Sequence, residues 1–257
     1  MVWTISIALC LMLSKAQNKY IRSLTQQKFR KEFNVFIAEG DKIAREWLIS
    51  DAIVKIIVAE SSWAETYKEL INRHPQAELC IVNEAELEQI TNLQTANKVL
   101  LVIEIPGENK KLPVDEWCIA LDNIQDPGNL GTIIRIADWF GIKHVVCSPD
   151  CADYYNPKVI QAGMGSHLRV ALHKTALEGF IAQYKMPVLA ATLSGENITK
   201  TERLKAAVLL IGNESKGVSA ELLKHVTKEI TIPGKGGAES LNAAVSAGIL
   251  CAMLTPS

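Results

Sequence analysis

Three stretches of this sequence place polar side chains and glycines directly after apolar runs, the pattern of a ligand site at the ends of buried strands. In DNIQDPGNLGTIIRIADWFG an apolar run meets a Pro-Gly turn, and Asn129 stands where a helix N-cap is wanted. Leu130, Ile133, Ile134 and Ala137 then form a buried stripe, and Arg135 projects about 140 degrees away from Leu130 at 100 degrees per residue. In LLIGNESKGVS a strand opens into Gly212, Asn213, Glu214, Ser215, Lys216 and Gly217. In ITIPGKGGAESLNAAVSAGILCAML a strand runs through a glycine-rich loop into a helix that Ser240 or Glu239 can cap. Its apolar side is expected to include Leu241, Ala244, Val245, Gly248 and Ala252, and the small residues Ala243, Ala244, Ala247 and Gly248 permit close packing of another backbone. Open α/β sheets bind ligands at such strand ends. GNESKG lacks the Walker spacing and no GxGxxG precedes a helix, which argues against nucleotide hydrolysis and dinucleotide binding. Read singly, Arg135 is equally a surface arginine, the second loop a turn capped by Ser219, and the third a capped core helix.

The elements that position these loops alternate between strand and helix. FNVFIAEGDKIAREWL predicts a strand, a turn at Gly40 and a helix burying Ile43, Ala44, Trp47 and Leu48. AIVKIIVAE, ELCIVNE and KVLLVIEI are further strands, with helical segments over Trp63 to Asn72 and Glu84 to Ile90. This predicts a small α/β domain over 12–105. PGENKKLP, residues 106–113, carries two prolines, a glycine and several charges and is the expected linker. A second α/β series follows over 114–257: WCIALDNI, a helix from Leu130 to Phe140, KHVVCS, a helix near Asn156 to Ala162, LRVAL, a helix near Ala176 to Tyr184, PVLAATL, AVLLIG, EITIP and a helix from Leu241.

Composition narrows the function. With 257 residues, 48% of them apolar, the chain can bury a large core, and a net charge of −1 excludes a polyelectrolyte coat. Nucleic-acid affinity must come from a local basic surface. Ser14 to Lys31 supplies one: Lys15, Lys19, Arg22, Lys28, Arg30 and Lys31 have no acid among them, and Tyr20, Ile21 and Leu24 can face a core. Lys15, Lys19 and Arg22 at helical spacing read either as a phosphate-binding stripe or as a solvated helix face. The six cysteines show no disulfide framework, and Cys147 and Cys151 lack a second metal-ligand pair, so they read as reduced packing residues with no metal. The apolar run Met1 to Leu13 is too short to span a bilayer and lacks a basic leader, so no membrane partner is expected. Met12 is the expected start, residues 1–11 being an extension outside the fold. A lipid anchor would rest on Cys10 alone.

Together and in this order, NLGTIIRIADWFG, IGNESKGVS and IPGKGGAESLNAAVSAGI resemble the SPOUT methyltransferases, in the SpoU or TrmH-like branch that methylates ribose 2'-hydroxyls. The first half, with SKAQNKYIRSL and FIAEGDKIAREWL, is similar to the substrate-binding domain that precedes the catalytic domain in many relatives. The resemblance implies an α/β fold whose SPOUT-type carboxyl-terminal domain carries a trefoil knot, preceded by a small α/β RNA-binding domain. It implies S-adenosylmethionine held by Leu193, Gly195, Ile211, Gly212, Asn213, Ile232 and Leu241, and a catalytic set of Asn129, Arg135, Glu214, Ser240 and Asn242. It further implies a cytoplasmic homodimer acting on RNA, ribosomal ahead of transfer RNA. Gly163 departs from the serine often found in relatives. Alternatives are an RNA-binding protein that keeps the fold without catalysis, whose mark would be loss of the motif polar residues, and a base methyltransferase, which would lack the Asn129 and Arg135 pairing with Ser240 and Asn242.

Overall fold

The computed structural model describes residues 9–10, 12–93, 97–107 and 111–256. Most of the expected extension 1–11 and residues 108–110 of the expected linker lie outside the described residues. Packing divides the chain into two units, Met1–Gly107 with Tyr155–Gly165, and Glu108–Tyr154 with Ser166–Ser257.

The first unit is built on a five-stranded sheet in the order β1-β4-β3-β5-β2, from β1 (Leu9–Cys10), β2 (Val35–Glu39), β3 (Val54–Glu60), β4 (Glu78–Val82) and β5 (Val99–Glu104). The four predicted strands are thus present as β2 to β5, and β5 runs antiparallel to both β2 and β3. Residues 1–11 were expected outside the fold, yet Leu9 and Cys10 pair in parallel with Leu79 and Cys80. An apolar run beside an open strand edge satisfies the backbone groups that edge would leave unpaired. Helix α1 (Lys15–Ser23) starts in a capping box between Ser14 and Gln17 and buries Ile21. Helix α2 (Gln27–Phe33) is tied to it by the buried Arg30, whose Nη1 donates to the carbonyls of Leu24 and Thr25, each at 2.8 Å. Helix α3 (Asp41–Ile49) buries Ile43, Ala44, Trp47 and Leu48 as its periodicity predicts. The helix expected over Trp63 to Asn72 is interrupted at Tyr67 into α4 (Ser61–Thr66) and α5 (Lys68–Ile71), whereas α6 (Glu84–Ile90) has the predicted bounds. Tyr155–Gly165 belongs to this unit although the chain order places it in the second series. Its helix, Pro157–Gly163, packs beside β2, and the Tyr155 ring lies 5.0 Å from that of Phe36.

The second unit is a six-stranded, all-parallel sheet in the order β11-β9-β10-β6-β7-β8. Its strands are β6 (Cys118–Leu121), β7 (His144–Cys147), β8 (Ala171–Lys174), β9 (Val188–Asn197), β10 (Val208–Ile211) and β11 (Lys228–Thr231). Central strands β6 and β10 are buried throughout, which their continuous apolar runs require when helices cover both faces. Counting Pro157–Gly163 as α8, the unit's helices are α7 (Pro127–Trp139), α9 (Leu177–Gln183), α10 (Ala220–Leu223) and α11 (Ala243–Leu254). The chain passes from β6 outward to β8 and then returns to the far side of β6, so the strand order reverses beside β10, where parallel sheets open a crevice at their carboxyl ends.

Candidate active site

Helix α7 carries the first loop. Leu130, Ile133, Ile134 and Ala137 are fully buried and Arg135 is exposed, as the periodicity predicts. The N-cap, however, is Asp126 rather than Asn129: its carboxylate accepts from the Asn129 backbone N–H at 2.7 Å, with Pro127 in the first turn. Proline is preorganised for the first helical position, which moves the cap upstream and frees the Asn129 side chain. A parallel correction applies to α11. Its cap is Asn242, not Ser240 or Glu239, and Asn242 Oδ1 accepts from the N–H groups of Ala244 and Val245 at 2.9 and 3.2 Å.

These two displaced caps bring the three loops together. Asn242 Nδ2 donates to Asn129 Oδ1 at 2.8 Å, and Asn129 Nδ2 donates to Glu214 Oε1 at 2.8 Å. Each amide is oriented by the other bonds it makes, since the Asn242 oxygen is occupied by the α11 N-terminus and leaves its NH₂ to face Asn129. Glu214 Oε2 keeps no hydrogen-bond partner among the described residues, so the relay ends on an acceptor open to a ligand.

Glu214 lies on the rim of an open cleft of about 1210 Å³ at the carboxyl ends of β9, β10 and β11. Of the residues expected to hold a cofactor, Leu193, Ile211, Gly212, Asn213, Ile232 and Leu241 line it, together with Ser240 from the expected catalytic set. The loop after β10 is a preformed turn. Asn213 pairs with Gly217 through two backbone hydrogen bonds, its Oδ1 accepts from the N–H groups of Ser215 and Lys216, and its Nδ2 donates to the Asn123 carbonyl at 2.8 Å. A Cβ on Gly212 would sit 2.1 Å from the Gly217 carbonyl carbon, so no larger residue fits where the turn closes.

The β9 side of the cleft is a bulge. Glu229 pairs with Ala190 but the next residue, Ile230, pairs with Glu196, so residues 191–195 loop out of register and leave Leu193 75% exposed. Gly195 does not line the cleft. A Cβ there would lie 2.5 Å from the Ile230 backbone nitrogen, so its glycine lets β9 rejoin β11 below the bulge. Three residues of the expected catalytic set, Asn129, Arg135 and Asn242, do not line the cavity itself, and Arg135 lies six residues beyond Asn129, about 9 Å along α7.

Sequence reasoning missed Thr192 and Asp122. Thr192 lines the cleft, and its hydroxyl oxygen is buried without a hydrogen-bond partner among the described residues. Asp122 Oδ2 accepts from the Ser219 N–H at 2.8 Å and ties the first loop to the second. Nothing in the local pattern marks either residue, whereas Asp126 could have been found from the Asp-Pro-Gly order alone. As a test of fit, the cleft offers apolar side chains at Leu193, Ile232 and Leu241, close backbone approach at Gly212 and an unsatisfied hydroxyl at Thr192, the mixture that a nucleoside-bearing cofactor requires.

Comparison with known proteins agrees with this arrangement. Residues 116–252 match the model of the SpoU rRNA Methylase family, and residues 15–101 match that of an MRM3-like substrate binding domain. The chain is 30% identical over 250 residues to the 23S rRNA (guanosine(2553)-2'-O)-methyltransferase RlmP of Bacillus subtilis, covering 93% of this chain and 96% of that protein. It is 27% identical over 200 residues to the 23S rRNA (uridine(2479)-2'-O)-methyltransferase of Streptomyces viridochromogenes, covering 73% and 69%. Among solved structures, the AdoMet-bound rRNA methyltransferase of Sinorhizobium meliloti superposes with a TM-score of 0.85 at 30% identity, covering 96% of this chain and 97% of that one. With the family model spanning the whole relay and cleft, and full-length similarity on either side of it, this chain belongs to the SpoU rRNA methylase family.

Proposed function

We propose that the chain transfers a methyl group from S-adenosylmethionine to a ribose 2'-hydroxyl of ribosomal RNA. The observation that carries the reading is the relay from Asn242 through Asn129 to Glu214, which joins three loops at the rim of the cleft. S-adenosylmethionine supplies a methyl group already activated on a sulfonium, so the protein's task is alignment and proton management. Leu193, Ile232 and Leu241 would hold the apolar part of the cofactor and the backbone of Ile211, Gly212 and Asn213 its polar groups, while Gly195 maintains the bulge that presents Leu193. Glu214, held by Asn129, offers its open oxygen to the ribose hydroxyl, and Ser240 lies on the same rim. Arg135, whose planar guanidinium donates hydrogen bonds and accepts none, acts as a clamp on an RNA phosphate, and the phosphate takes the hydroxyl proton.

The RNA is ribosomal because the relatives named above act on 23S rRNA, one at a guanosine and one at a uridine. Lys15, Lys19 and Arg22 on α1 meet its phosphates. Residues 12–105, joined by Tyr155–Gly165, form the RNA-binding domain and the rest of 114–257 the knotted methyltransferase domain, with 106–113 between them. A homodimer is supported by α11, where Val245, Ile249 and Met253 recur every fourth residue and remain 36 to 50% exposed. Leu241, Val245 and Ala252, expected on the apolar side, are exposed; Ala243, Ala244, Ala247, Leu250, Cys251 and Leu254 are buried instead, the small ones because they admit close packing, as where Gly248 meets Ile136. The site of action is the cytoplasm, and among the described residues no helix is long and apolar enough to cross a membrane.

The test is transfer of labelled methyl from S-adenosylmethionine to ribosomal RNA from a strain lacking this gene, with the product mapped by alkaline-resistant linkages. One resistant linkage, abolished when the target nucleotide is 2'-deoxy, is expected. Label recovered on a base, or no transfer to any ribosomal RNA, would overturn the reading.

A further inference from the structure

We propose that Phe33, held rigid by Tyr20 and Phe29, is a stacking platform for an unpaired base of the RNA substrate. This deepens the proposed function, on which it rests, by naming a feature of the RNA that the first unit recognises. The three rings form a compact cluster at the ends of α1 and α2. Phe33 lies parallel to Phe29, with centroids 6.3 Å apart and planes at 12°, and edge-on to Tyr20 at 5.0 Å and 73°. Tyr20 and Phe29 are partly buried against the core of the first unit, while Phe33 remains 44% exposed. Two anchored rings fix the third at the surface, so little side-chain freedom is left for a bound base to remove.

The charge around the cluster specifies the partner. Lys28 Nζ lies 5.7 Å from the Phe29 centroid, and the stretch from Ser14 to Lys31 that supplies two of the rings also carries Lys15, Lys19, Arg22 and Lys31 without an acid, the first being Glu32. Phosphates are drawn to the cations, and an exposed ring among them accepts a base of any identity, since every base has a π-face. A paired base cannot reach such a ring, so the platform selects single-stranded or bulged RNA. The substrate-binding family model over residues 15–101 includes all three rings.

The experiment measures binding of the full-length protein to a single-stranded RNA of about 12 nucleotides and to a duplex of the same length. Phe33→Leu keeps the apolar bulk but removes the π-face, and Phe33→Trp restores it. Phe33→Leu is expected to lose about 5- to 150-fold in single-strand affinity, with an unchanged salt slope, and no more than about two-fold on the duplex. Phe33→Trp is expected to bind as the parent does. The joint alanine variant of Lys15, Lys19 and Arg22 should instead lower the slope by about 0.7 to 0.9 per lost contact on both RNAs. Single-strand binding by Phe33→Leu equal to the parent's, an equal loss on the duplex, or no recovery with Trp would overturn the platform. Methyl transfer by the parent protein is assayed separately, so a failed platform in an active enzyme is distinguished from failure of the functional reading.

Discussion

Replacing Asn129 by alanine should remove methyl transfer while leaving the fold in place. The side chain makes one neutral hydrogen bond, from Asn242, and one to a carboxylate, Glu214, both at 2.8 Å. Bonds of these kinds contribute about 0.5–1.5 and 1.5–3 kcal/mol when shielded from water. Here Glu214 and Asn242 are exposed, and water replaces most of what is lost, so the stability change should stay within about 1 kcal/mol. Alignment has no such substitute. Without Asn129 the Glu214 carboxylate is no longer held, and a displacement of about 1 Å at a reacting group costs on the order of 100-fold in rate. Asn129→Asp should be at least as damaging, because it still accepts from Asn242 but sets a second negative charge against Glu214. The assay is single-turnover methylation at saturating S-adenosylmethionine and RNA, with thermal melting of each variant alongside. A folded Asn129→Ala protein whose rate stays within three-fold of the parent's would refute the role of the relay.

Arg135→Ala should cost about 100- to 10,000-fold in the same assay with a stability change under about 0.5 kcal/mol, since the residue is exposed on α7. Arg135→Lys should recover only part of the loss, because an ammonium lacks the bidentate fork. Arg30→Ala should lower unfolding stability by about 3 kcal/mol or more in a urea titration, since it leaves a hole and unpairs the Leu24 and Thr25 carbonyls, and Arg30→Met should recover part of that by filling the space. Burial holds His167 down to about 4, against the hydrogen bond to the Tyr154 carbonyl, which favours its charged form. An imidazole kept neutral in the fold contributes stability that is complete above its ordinary pKa near 6.5 and lost as the pH falls through about 4. The unfolding free energy of the parent from urea titrations should therefore drop on acidification across that window, by on the order of 3 kcal/mol from this residue, and His167→Gln should flatten the drop.

What the sequence determined by itself was periodic or compositional. The buried stripe of α7, the exposure of Arg135, the core face of α3 and the bounds of α6 all follow from apolar spacing, which is a local property of a helix. The order of three glycine-bearing loops after buried strands was likewise enough to indicate the family. Helix caps were legible in part. Asp126 was available from the Asp-Pro-Gly order, but Asn242 was hidden behind two other capping types, Glu239 and Ser240, and only the folded loop selects among them. Tertiary structure alone decided the rest, because it depends on which distant residues meet. The relay joins positions 85 and 113 residues apart. The β9 bulge exists because β11 pairs with Ala190 and then with Glu196, and that pairing leaves no room for a side chain at Gly195. Helix α11 is apolar on nearly every side, so its sequence could not say which face is buried, and packing of its small residues turned Val245, Ile249 and Met253 outward. The segment Tyr155–Gly165 left the unit its neighbours build for the same reason: its partner, β2, lies more than a hundred residues upstream, and no local pattern records a contact of that length.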